Sequence, residues 1–126
     1  MIPFMNKFFR FAAWKLRGRK VYALVGRSGT GKSFRSKLVA EKYGIELIID
    51  DGLLIRGDKI VSGKSAKKEK VFLKAIKTAL FDEEMHRNEM ISALQKEDFK
   101  RILIIGTSER MVQKIAVRLK LPEPEK

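Results

Sequence analysis

One run of eight residues carries the clearest chemistry in the chain: Gly26-Arg27-Ser28-Gly29-Thr30-Gly31-Lys32-Ser33 fills every fixed position of the pattern G-x-x-x-x-G-K-[ST]. Glycines are needed where a backbone wraps closely round a phosphate, because the φ values that aim successive N–H groups inward are ones a β-carbon resists. In such a loop Lys32 supplies a point charge to the β- and γ-phosphates, and Ser33 offers a hydroxyl to Mg²⁺. A helix that starts at the end of the loop adds its positive N-terminus. Average residue frequencies put a chance match in a chain of this length on the order of 1 in 200, so a Gly-rich turn that merely spells the pattern is the weaker reading. Nucleotide phosphate binding is therefore expected at residues 26–33, with ATP and Mg²⁺ as the ligands.

Two carboxylates follow. The apolar run Ile45-Glu46-Leu47-Ile48-Ile49 ends in Asp50-Asp51-Gly52. In an open parallel sheet, ligands sit at the carboxyl ends of the strands, which brings the end of this run beside the phosphate loop. A carboxylate placed there holds Mg²⁺, directly or through water, or takes a proton from an attacking hydroxyl. The same residues also suit a plain turn, and the two uses are compatible. The expected roles are magnesium binding by Ser33 and Asp50, charge stabilisation by Lys32, and orientation of the nucleophile by Asp51. Thr107 and Ser108 follow a further apolar run, residues 101–105, so a polar hydroxyl again falls at a strand's carboxyl end, where it also suits the N-cap of the last helix.

Composition removes competing chemistries. The chain has no cysteine and a single histidine, His86, so thiolate clusters, disulfides, cysteine nucleophiles and His-rich metal sites are excluded. His86 falls on a helical pattern and is assigned no catalytic role. The 44% apolar and 34% charged shares over 126 residues describe one globular domain and set intrinsic disorder aside. A net charge of +13 favours polyanionic partners: nucleotide phosphates, nucleic acid or an anionic membrane surface.

The elements that must position these residues can be traced along the chain. Residues 21–25 read as a buried parallel strand ahead of the loop. A helix from about Lys32 to Tyr43 is expected to turn Phe34, Leu38 and Val39 inward and to end at Gly44. Residues 53–55 and 59–61 flank Arg56-Gly57-Asp58 as a short hairpin. Residues 59–77 hold seven lysines and one acid, Glu69; residues 62–68 read as a mobile basic loop, either a solvated face or a lid over the nucleotide. Residues 71–80 are an amphipathic helix, and Asp82, Glu83 and Glu84 look like the capped first turn of another that carries Met85, Met90, Ala93 and Leu94. A strand over 101–105 leads to a helix with Met111, Val112, Ile115, Ala116 and Leu119 on one face, and residues 122–126 form a polar tail.

Residues 1–20 differ in kind, with six basic residues and no acid among Phe4, Phe8, Phe9, Phe11 and Trp14. At about 100° per residue their apolar members share one arc and Lys7, Arg10 and Arg17 the other, so an amphipathic helix is expected. It would lie on the domain's own core, on an anionic membrane, or on a protein partner or targeting receptor. Lys7 and Arg10 break any secretory signal, and nothing approaches the about 20 apolar residues that span a bilayer.

The loop identifies the chain as similar to the P-loop NTPase superfamily through its Walker A motif. Residues 21–51, with the loop followed by an apolar run ending in Asp-Asp, resemble the HPr kinase branch. That resemblance implies transfer of phosphate from ATP to a protein serine, with Asp50 and Asp51 at the positions of the aspartates that serve magnesium and proton transfer. As a whole the chain is similar to bacterial proteins described as ATP-binding or AAA-type ATPases, which implies a polar residue near the γ-phosphate at Thr107 or Ser108 and a chain that continues past Lys126.

The expected fold is a three-layer αβα P-loop domain over residues 21–121. It has about three parallel strands and a small hairpin, preceded by the helix over 1–20. So few strands leave an edge to be covered by that helix, by dimerisation or by a C-terminal continuation. The expected function is an ATPase, a hydrolase, or a kinase-like phosphoryl transfer to an unknown acceptor, in the cytoplasm or peripherally at a membrane. The rival is a non-enzymatic, ATP-responsive module that engages a membrane or partner through residues 1–20. Nucleic acid is the weaker partner, because the basic loop lacks interleaved aromatics for stacking.

Overall fold

Residues 21–25 and 102–106 are buried on both faces, the pattern of strands at the centre of a parallel sheet covered on both sides. The computed structural model describes residues 10–16, 19–27, 31–66 and 72–121. In chain order the elements are β1 (Arg10–Leu16), β2 (Arg19–Val25), α1 (Lys32–Tyr43), β3 (Leu47–Asp50), β4 (Leu53–Arg56), β5 (Lys59–Gly63), α2 (Phe72–Ala79), α3 (Glu84–Lys96), β6 (Arg101–Gly106) and α4 (Glu109–Arg118). They build one six-stranded sheet in the order β1-β2-β6-β3-β4-β5. Strands β2, β6 and β3 run parallel, with Val25 beside Gly106 and Ile49 beside Ile104. The other three pair antiparallel with their neighbours.

Alternation along each strand divides the core in two. Val21, Ala23, Leu47, Ile49, Ile102 and Ile104 pack with Met90 and Leu94 of α3 and with Val112, Ile115 and Ala116 of α4. Tyr22, Leu24, Ile48, Leu103 and Ile105 face the other way, against Val39 of α1. The chain is thus a mixed α/β domain with helices on both faces of its sheet. The hairpin expected over 53–61 is present as β4 and β5, and it extends the main sheet instead of standing apart.

Several expectations need correction. Arg10–Leu16, placed within the helix over 1–20, is a strand, paired antiparallel with β2 from Arg10↔Val25 to Leu16↔Arg19. Residues 1–9, 17 and 18 of that expected helix lie outside the described residues. A helical wheel counts apolar positions but not cross-strand partners; the two residues between Leu16 and Arg19, one of them a glycine, are the hairpin signal that competes with it. Pairing also removes an edge that β2 would otherwise expose. The boundary expected at residues 20 and 21 falls inside β2, which spans Arg19–Val25.

On α1 the face is rotated from that expected: Phe34 is 68% and Leu38 48% exposed, while Ser36 and Val39 are buried. The inward stripe is Ser36, Val39, Ala40 and Tyr43, at the i, i+3, i+4, i+7 spacing, with Tyr43 tilted against Tyr22. Small Ser36 and Ala40 let the helix lie close to the sheet, which an apolarity count overlooks. The N-cap of α3 is Glu83, and Asp82 instead pairs with Arg118 at 3.2 Å. Of the apolar residues that α3 carries, Met90 and Leu94 are buried, whereas Met85 is 79% exposed. Among the described residues no helix is long and apolar enough to cross a membrane. The tail, residues 122–126, lies outside the described residues.

Candidate functional site

The three parallel strands end at one edge of the sheet, and each delivers one of the candidate segments there: β2 residues 26–33, β6 Thr107 and Ser108, β3 the Asp50-Asp51-Gly52 turn. The central position of β6 sets Thr107 and Ser108 between the other two. Two strand spacings separate β2 from β3, about 10 Å.

The Gly26 N–H donates to the Gly106 carbonyl at 3.1 Å, tying the start of the loop to the end of β6. Arg27 is exposed, and Ser28, Gly29 and Thr30 lie outside the described residues. At the far end of the loop Gly31 is the N-cap of α1 with φ +80, a left-handed conformation, and an added Cβ there would meet no atom of the described residues within 4 Å. Gly31 has no side chain to cap the helix and the first turn holds no acid, so α1 itself does nothing to neutralise its N-terminal dipole. The first bond closing the helix runs from the Arg35 N–H to the Gly31 carbonyl, at 3.0 Å. Lys32 and Ser33 occupy this first turn, where backbone N–H groups have no intrahelical acceptor. An anion is the natural complement of such an end.

Asp50 is the last residue of β3 and half-buried; by strand alternation it shares the face of Ile48, the face covered by α1. Asp51 is half-buried and left-handed, at φ +54. Its Oδ2 accepts from the Ser65 hydroxyl at 2.8 Å, and its carbonyl accepts from the Ala66 N–H at 2.9 Å. Beyond it, Gly52 and Gly63 cross at very short range: a Cβ on Gly52 would lie 2.3 Å from the Lys64 carbonyl oxygen, and one on Gly63 2.2 Å from the Gly52 carbonyl oxygen. Only glycine fits at either position.

This crossing corrects the loop expected over 62–68. Gly63 ends β5, Ser62 Oγ and the Gly63 N–H both donate to Glu89 at 3.1 Å, Lys64 pairs with Glu83 at 3.2 Å, and Ala66 is buried. Residues 62–66 are a fixed buttress of the aspartate turn, whereas 67–70 lie outside the described residues.

His86 supports the same turn from beneath. It is 3% exposed, packs on Phe81 with ring centroids 4.6 Å apart, and places Nε2 2.8 Å from the Gly52 carbonyl and 3.4 Å from the Lys64 nitrogen. The shorter contact is to a carbonyl, so Nε2 is assigned the proton and donates to Gly52; Nδ1 is buried with no partner among the described residues. The sequence assigns His86 no catalytic role and does not tie Ser65 to the aspartates, because nothing along the chain links either to residue 51. The visible signal was the pair of glycines, one before and one at the end of the hairpin.

At β6 the two alternatives separate. The Ser108 hydroxyl accepts from the Met111 N–H at 3.1 Å and is the N-cap of α4. Thr107 stays exposed on the rim, with its hydroxyl 3.4 Å from the Met111 sulfur. Among the described residues no three His, Asp or Glu side chains gather as a ready-made metal centre. No family model matches the chain, and no curated protein and no solved structure matches it significantly.

Proposed function

We propose that the chain binds Mg-ATP at residues 26–33 and transfers or hydrolyses its γ-phosphoryl group, as a P-loop ATPase or kinase-like protein. The observation that carries this reading is the placement of the motif. Its residues lie between a parallel strand and a helix whose cap is a left-handed glycine, and Asp50-Asp51 ends a second parallel strand on the same edge. Backbone N–H groups of the loop and first turn of α1 bind the phosphates, and Lys32 supports the charge that gathers on them during transfer. Magnesium, which takes one or two carboxylates together with phosphate and water oxygens, would neutralise phosphate charge when bound; one carboxylate, that of Asp50, with the Ser33 hydroxyl meets that need, and the described residues hold no larger cluster of His, Asp or Glu. Asp51 is assigned the role of proton acceptor, and Thr107, exposed at the end of β6 between the two segments, is assigned a polar contact to the terminal phosphate. The rival module acting through a basic helix over 1–20 loses that element where Arg10–Leu16 pairs as a strand.

Calorimetric titration of the chain and of Lys32→Ala with ATP and magnesium tests the proposal. Loss of a charged hydrogen-bonding partner weakens binding by about 2 kcal/mol, roughly 30-fold. Equal affinity of the two proteins, or no binding by either, overturns it.

A further inference from the structure

A serine hydroxyl is a weak nucleophile that becomes useful beside a base within hydrogen-bonding reach. Ser65 has that arrangement. Its Oγ donates to Asp51 Oδ2 at 2.8 Å, both residues are half-buried, and Asp51 follows directly on the strand end facing the phosphate loop across β6. Resting on the phosphoryl-transfer reading above, we propose that Ser65 is a phosphoryl acceptor within the chain, with Asp51 as its catalytic base.

The step balances with a nucleoside triphosphate as the only co-reactant. Ser65 Oγ forms a bond to the γ-phosphorus as the bond from that phosphorus to the β–γ bridging oxygen breaks. ADP leaves with the electron pair, and the hydroxyl proton passes to Asp51 Oδ2 and then to water. Positioning is the largest part of such catalysis, and here it is supplied by backbone. The Ala66 N–H bonds the Asp51 carbonyl, the Gly52–Gly63 crossing locks the two segments face to face, and His86 holds the Gly52 carbonyl from below. Ser62, three residues earlier, donates instead to Glu89 on the α3 side of the hairpin and serves as the internal control.

The product limits the reaction. A phosphoserine dianion beside Asp51 meets like charge where there was a hydrogen bond, so the pair separates and the base is no longer aligned with an acceptor. Each chain therefore completes a single transfer.

The test incubates the full chain with Mg-ATP at several protein concentrations, follows intact mass and ADP release, and maps the modified peptide, with ATP affinity measured in parallel. Expected is a rise to one phosphate per chain on Ser65, at a rate independent of protein concentration, with one ADP released per phosphate. Ser65→Ala and Asp51→Asn should bind ATP as the parent does and lose the modification; asparagine tolerates the left-handed backbone at residue 51, so the fold survives that change. Ser65→Thr, which keeps the hydroxyl, should retain transfer at a reduced rate. ATP binding with an unmodified Ser65, modification of Ser62 instead, or full modification of Asp51→Asn overturns this proposal and leaves the ATP-binding reading standing. Failure to bind ATP at all overturns both.

Discussion

Replacing Gly52 with alanine tests the crossing that holds the aspartate turn, and Gly57 provides the reference. Both glycines are left-handed, at φ +85 and +62, so either substitution pays a backbone penalty of about 1 to 2 kcal/mol. At Gly57 no atom of the described residues lies within 4 Å of the new Cβ, and the cost ends there. At Gly52 the Cβ lands 2.3 Å from the Lys64 carbonyl oxygen, about 1 Å inside normal carbon–oxygen contact, with Thr78 Cγ2 at 3.2 Å and His86 Cε1 at 3.3 Å. The first obstacle is backbone and cannot rotate away. Residues 63–65 must lift from the turn, which adds overpacking strain of about 1 to 3 kcal/mol and weakens the His86 bond to the Gly52 carbonyl, for about 1 more. Gly52→Ala should therefore destabilise the chain by about 4 kcal/mol and Gly57→Ala by about 1, against a domain stability of roughly 5 to 15. Urea denaturation of the two variants and the parent measures the difference. Values within 1 kcal/mol of each other would refute the reasoning. Gly63→Ala probes the same contact from the other strand, so the double variant at 52 and 63 should cost clearly less than the two single losses combined.

The aspartates should divide: Asp50→Asn flattens the magnesium dependence of ATP affinity, whereas Asp51→Asn leaves affinity within about twofold and depresses phosphoryl transfer, as titration beside an assay of ADP release will show. Removing the ring in His86→Ala leaves the Gly52 carbonyl without its donor and opens a cavity beside Phe81, so thermal melting should report a loss of about 3 kcal/mol. Phe34→Ser and Leu38→Gln remove exposed side chains and should change stability by no more than about 0.5 kcal/mol in the same assay; a loss near 2 would mean that α1 packs on its other face.

Local signals were legible where the chemistry is local. The motif at residues 26–33 is contiguous, and strands β2 and β6 are apolar runs too short for helices, flanked by glycine, so the nature of these strands and the edge they point to follow from residue order. Hairpin β4–β5 announces itself through Gly57. What the sequence hides is pairing at a distance. Nothing in residues 101–106 says that this last strand inserts between the first parallel strand and the second, and that insertion is what sets Thr107 between the loop and the aspartates. The N-terminal segment misleads for the opposite reason: its apolar residues satisfy a helical arc, yet the fold uses Arg10–Leu16 to cover the open side of β2. Ser65 and His86 reach the aspartate turn only because two glycines let backbones meet at a distance that no other residue allows.

A structure of the chain with magnesium and a non-hydrolysable ATP analogue tests the central claim most directly. The account predicts the β- and γ-phosphates in the loop of residues 26–33 above the N-terminus of α1, the metal between Asp50 and the terminal phosphate, and Ser65 with Asp51 on the side of that phosphate opposite the leaving oxygen. A nucleotide bound away from this edge of the sheet, or a terminal phosphate turned away from both aspartates, would contradict it.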